Sequence, residues 1–186
     1  GVEITFSKNQ IKDNIINECD HGIWGGYSWQ TSINGNIFEK NRIGIAIEHG
    51  QHNSIFGNQF TSNKQAAIKL WARRTQPSDW GYANKRDTRS MRYFLYSNSF
   101  NNEAIALDFN LTSDITLGAN SYNNTALKIK KDSTVHDLDS QANVAPAPLF
   151  EMHESVLEWK TKEIPVTNFP KGRSQMRITE WGPYDF

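Results

Sequence analysis

Asn36-Ile37-Phe38, followed six residues on by Gly44-Ile45-Ala46-Ile47-Glu48, is the stretch that decides the fold, because both halves recur. The second half returns as Gly22-Ile23-Trp24-Gly25-Gly26, Ala67-Ile68-Lys69-Leu70-Trp71, Ala104-Ile105-Ala106-Leu107-Asp108 and Ala126-Leu127-Lys128-Ile129-Lys130. The steps from Ile23 to Ile45, Ile68, Ile105 and Leu127 are 22, 23, 37 and 22 residues. The first half returns as Asn14-Ile15-Ile16, Asn58-Gln59-Phe60, Asn98-Ser99-Phe100 and Asn120-Ser121-Tyr122. A fixed period of this size marks a solenoid, whose units cannot bury their apolar faces alone and must stack. An asparagine recurring at one corner has two physical uses. Its amide tolerates left-handed backbone, and amides stacked at the strand separation can bond one another as a ladder.

The apolar runs are short, alternate with period 2 and are bounded by Gly, Asn, Ser and Asp, which reads as strands rather than helices. Each repeat holds two or three of them, as in Ile33, Phe38 and Ile45. Two or three strands per turn, each pairing with its equivalent one turn on, make a parallel β-helix. Over residues 1–142 the chain resembles the right-handed parallel β-helix proteins of the pectate-lyase-like superfamily, nearest to their Asn-rich carbohydrate-binding and sugar-hydrolase repeats. The expected fold class is therefore all-β: a right-handed parallel β-helix solenoid with a non-repeat C-terminal β extension. The resemblance implies carbohydrate activity and an extracellular or periplasmic, bacterial setting.

Composition narrows the partners. Formal net charge is zero and the pI is about 7.1, so no basic signature points to nucleic acid or an anionic membrane. Six Trp, six Tyr and ten Phe argue against disorder. Cys19, the only cysteine, stands where Asn41 and Asn63 stand in later repeats and reads as a turn substitution. The Pro/Ala run Val144-Ala145-Pro146-Ala147-Pro148 ends the repeat pattern. Residues 143–186 beyond it, with strands expected at Val156–Trp159 and Met176–Trp181, read as a cap or the start of a further β domain. The chain is expected to be a piece of a longer protein.

Alternation divides the strands into an inner and an outer face. Read at the spacings above, one outward column is Trp24, Ala46, Lys69, Ala106, Lys128 and the next is Gly26, Glu48, Trp71, Asp108, Lys130. Glu48 and Asp108 then share a column two coils apart, with backbones roughly 9–10 Å apart at the strand spacing. Carboxyls about 6.5–9.5 Å apart suit an inverting glycosidase. This predicts a polysaccharide-cleaving glycoside hydrolase with Glu48 and Asp108 as acid/base pair and His49 as an auxiliary proton-transfer group. A solvated network with Lys69, Arg73 and Lys130 is the plain structural alternative.

The long step between Ile68 and Ile105 carries an insert over residues 73–90, which includes Arg73, Arg74, Trp80, Tyr82 and Arg86. Loops on a rigid scaffold are where binding sites are built. Trp24, Tyr27, Trp71, Trp80 and Tyr82 offer flat faces for sugar rings, while Lys69, Arg73 and Arg74 offer donors to hydroxyl or anionic groups. No cofactor is required, although the resemblance implies Ca²⁺ if the enzyme is instead a polysaccharide lyase using Lys, Arg or His. Neither the Asp-rich motif of pectate lyases nor the paired aspartates of polygalacturonases is present. His21, His49 and His52 match no strong metal-ligand spacing, so no metal site is assigned. The remaining alternative is a non-catalytic glycan-binding or spacer segment of a larger surface protein.

Overall fold

The computed structural model describes residues 1–74 and 80–140. Residues 75–79 and 141–186, and with them the expected C-terminal extension, lie outside these. Three all-parallel sheets wrap about six turns of chain into a right-handed solenoid. Sheet one stacks Val2–Glu3, His21–Gly26, Ile43–Glu48, Ala66–Trp71, Ile105–Asn110 and Leu127–Lys131. Sheet two runs from Gln10–Lys12 to His136–Asp139, and sheet three from Ile15–Asn17 to Ser121–Asn123. The core is a set of columns. Phe38, Phe60, Phe100 and Tyr122 stack with centroids 4.9, 5.1 and 5.2 Å apart, close to one strand spacing per rung. Gly44 lies where chains approach closely, since a Cβ there would stand 2.6 Å from the Ala67 carbonyl oxygen.

The recurrent asparagines form a ladder. Asn14 Nδ2 donates to Asn36 Oδ1 at 3.0 Å, Asn36 to Asn58 at 3.0 Å, and Asn58 to Asn98 and Asn98 to Asn120 at 3.1 Å. Each inner rung also gives its second amide hydrogen to a carbonyl of the coil before, as Asn58 does to Ile33 and Asn98 to Ile55. Of the two uses expected for these residues, the ladder is the one realised. The left-handed backbone falls one residue earlier, at Asp13, Gly35, Gly57, Ser97 and Ala119. The asparagine side chain is thus freed to span the coils because its neighbour makes the bend. A parallel ladder at the next corner runs Cys19, Asn41, Asn63 and Glu103, with Cys19 accepting the role of a turn residue through its backbone N–H to Asn41 Oδ1.

One register differs from the expectation. Ile68 faces Leu107, not Ile105, so Lys69 is opposite Asp108 and Trp71 is opposite Asn110. The ladder step across the insert is 40 residues, against 22 elsewhere. The run Ala104-Ile105-Ala106-Leu107-Asp108-Phe109 looks alike at two offsets, because a shift of two residues keeps the same side chains inward. Leu107 and Phe109 fill the core; Ile105 is only half-buried.

Candidate functional site

The outer face of sheet one carries most of the chemistry. Its first column is now Trp24, Ala46, Lys69, Asp108, Lys130, and its second Gly26, Glu48, Trp71, Asn110. Glu48 and Asp108 therefore do not share a column. They are separated by two rungs and two residues along the strand, about 12 Å between backbones, which is diagonal across the face and removes the same-column geometry expected of an inverting pair. Each also has its own cation. Arg73 Nε donates to Glu48 Oε1 at 2.7 Å, and Trp71 Nε1 donates to the same oxygen at 3.0 Å. Lys130 Nζ stands 3.6 Å from Asp108 Oδ2. Both carboxylates are nearly buried, at 8% and 7% exposure, although they point outward.

On the two coils flanking Glu48 the aromatic groups are ordered. Trp24 and Trp71 approach to 5.5 Å across Ala46, the only small residue in the column between Trp24 and Lys69, and both remain partly exposed. Trp24 also meets His21 edge-on at 5.0 Å, and Lys69 Nζ lies 5.2 Å from the centre of the Trp71 ring. His21 itself accepts from Arg42, which binds Asp20 and donates to Gln65 Oε1 at 2.7 Å. Asp20 and Arg42 were not singled out from sequence; they flank the apolar strand rather than lie in it, and only the coil register brings them to this face.

The insert does not reach over this face with its aromatic residues. Instead it folds back on the corner after sheet one, where Phe6, Tyr27 and His49 stack in successive coils, all with left-handed backbone. Trp80 and Tyr82 pack on Phe6 and Tyr27 at 5.0 to 5.9 Å. Arg86 covers Trp29, and Gln51 Nε2 donates to the Asp87 carbonyl oxygen at 2.8 Å. Tyr27, Trp80 and Tyr82 thus join each other, apart from Trp24 and Trp71. Phe6 was missed because it lies ahead of the first recognisable repeat; its spacing to Tyr27 is the signal that would have found it. The small open cleft beside Tyr27, His49, Gln51 and Arg86 holds about 140 Å³, less than half the volume of ordinary ligand pockets.

His49 is a fastener rather than a free base. Its Nε2 accepts the Arg73 backbone N–H at 3.1 Å, which leaves the proton on Nδ1, directed at the Thr88 carbonyl oxygen. The ring ties the two legs of the insert together and is 2% exposed. Burial holds its pKa below the usual histidine value, opposed by the Thr88 bond. That commitment of both nitrogens replaces the proton-transfer role expected of it. His52 lies apart, accepting from Arg92 Nη1 at 3.1 Å. Arg74 is exposed; the hydrogen bonds from Thr134, with a lesser contribution from the Arg74 charge, hold the Asp132 carboxyl below its ordinary pKa.

A family model described as a right handed beta helix region matches residues 1–78. Neither the curated proteins nor the solved structures offer a match to the chain. The matched segment covers the first coils, and the three sheets and the Asn14–Asn120 ladder carry the same geometry on past the insert. The described residues form a right-handed parallel β-helix of stacked repeats.

Proposed function

We propose that the outer face of sheet one recognises a polysaccharide chain. The observation that carries this reading is the Trp24–Trp71 pair, two partly exposed indoles held 5.5 Å apart on a rigid sheet. Indole faces bind the apolar face of a pyranose ring, and fixed platforms lose little entropy on binding. Around the pair, Lys69, Arg73 and Lys130 supply donors, and Glu48 and Asp108 supply acceptors for sugar hydroxyls. The fold is compatible with carbohydrate-active proteins. A polysaccharide screen tests the reading: binding lost in both Trp24→Ala and Trp71→Ala supports it, and binding unchanged in both removes it.

Hydrolysis is the second reading, favoured by one observation. A solenoid needs no carboxylates on its outer face, yet Glu48 and Asp108 are both held there nearly buried. Turnover abolished in Glu48→Gln and in Asp108→Asn, with glycan binding kept, would establish it; binding without turnover in the unmodified chain leaves recognition alone.

A further inference from the structure

The ladder at the corner between sheets three and one contains an acid where its series calls for an amide. Asn41 Nδ2 donates to Asn63 Oδ1 and to the Ile16 carbonyl oxygen; Asn63 Nδ2 donates to Glu103 Oε1 at 2.9 Å and to the Phe38 carbonyl oxygen. Asn63 also directs its backbone N–H to Glu103 Oε1 at 3.2 Å. Glu103 Oε1 therefore does what each asparagine Oδ1 does in the rung before it. The other oxygen, Oε2, holds the place of the amide nitrogen, which in this series is a donor. It is buried and, among the described residues, has no hydrogen-bond partner, on a residue 2% exposed. The carbonyl that the series assigns to it is that of Phe60, since the next rung, Thr125, donates to Phe100.

A carboxylate has no hydrogen to give, whereas a carboxylic acid has one. We infer that Glu103 is held as the neutral acid, a titratable rung that completes the ladder when protonated and opens this corner when it ionises. The residues set against it, Asn63 on the coil before and Thr125 on the coil after, are uncharged, and Lys64, next in the chain after Asn63, is exposed. Among the described residues, burial and the Asn63 bonds set its acidity, and burial, the larger cause, raises the pKa from 4.5 to about 7. The unfolded chain releases this proton near 4.5 and the folded chain near 7. Stability from this rung is therefore full below 4.5 and is lost as pH rises towards 7. The corner concerned joins the coils before and after the insert.

Urea unfolding of the full chain and of Glu103→Gln, followed from pH 4 to pH 8, tests the assignment. Glutamine keeps the acceptor and supplies the donor at every pH. The folding equilibrium of the unmodified chain should weaken relative to the variant by on the order of a hundredfold across this range. Parallel curves would overturn the inference. A ¹³C titration of the Glu103 carboxyl in the unmodified chain decides the matter if the variant does not fold. A midpoint near 7 supports a protonated rung, and a midpoint in the ordinary glutamate range refutes it.

Discussion

The indole nitrogen of Trp71 donates to Glu48 at 3.0 Å, from one coil to the one before. The bond fixes the tilt of a ring that would otherwise turn about two side-chain torsions, and so sets its 58° inclination to Trp24. Trp71→Phe should keep an aromatic ring but release its orientation. Glycan affinity should fall several-fold in Trp71→Phe and tenfold or more in Trp71→Ala, in line with about 1.4 kcal/mol per decade. Calorimetric titration with the polysaccharide found in the screen measures both; equal affinity in all three chains would mean that the ring does not touch the ligand.

Asn58 takes part in ladder bonds on both sides and is almost wholly buried. Asn58→Ala leaves Asn36 without its acceptor and Ile33 without its donor. Each stranded buried group costs about 1–3 kcal/mol, so the loss should be about 3 kcal/mol or more. Asn14→Ala, at an exposed rung, should cost about 1 kcal/mol or less. Denaturant midpoints of the two variants give the comparison, and similar losses would contradict the ladder's role.

His49 holds the insert only while neutral, because an imidazolium cannot accept the Arg73 N–H. Its folded pKa is lowered, so this contribution is present above the ordinary value of 6.5 and is lost as pH falls below it. Trypsin should therefore cut at the exposed Lys85, Arg86 and Arg89 faster at pH 5.5 than at pH 7.5, after correction for the protease's own pH profile. His49→Ala should be cut quickly at both. A cleavage pattern insensitive to His49 would show that the aromatic packing of Trp80 and Tyr82 is enough.

Gly44→Ala places a methyl 2.6 Å from the Ala67 carbonyl oxygen, a backbone atom that cannot turn aside. Overpacking of this kind costs about 1–3 kcal/mol and sometimes more. The melting temperature should drop by several degrees or more, whereas Gly57→Ala meets no atom of the described residues within 4 Å and pays only for its left-handed backbone.

The coil was legible in the sequence because its signals are local and repeated: an asparagine at each corner, an alternating strand after it. The register across the insert was legible too, but in the asparagines. The step from Asn58 to Asn98 is the true coil length. The apolar strand misled, since Ile105 and Leu107 are equivalent to a rule with period 2. The site suffered from that slip, because it placed Asp108 in the column of Trp71, whereas it stands in that of Lys69. The folding back of the insert on Phe6 and Tyr27 has no periodic signal at all; it depends on which aromatic surface a loop of that length meets first. Glu103 is hidden for another reason. Its spacing from Asn63 matches the ladder only once the 40-residue step is accepted.

The asparagine ladder has a direction. Every Nδ2 from Asn14 to Asn98 donates towards the later coil, and every Oδ1 from Asn36 to Asn120 receives from the earlier one. A row of amides aligned head to tail polarises each member in turn and leaves unlike ends, an acceptor facing one way along the axis and a donor facing the other. Two such stacks can continue one another end to end only in the same sense, as beads on a string rather than as mirror halves. A coil borrowed from elsewhere must bring its amide the right way round.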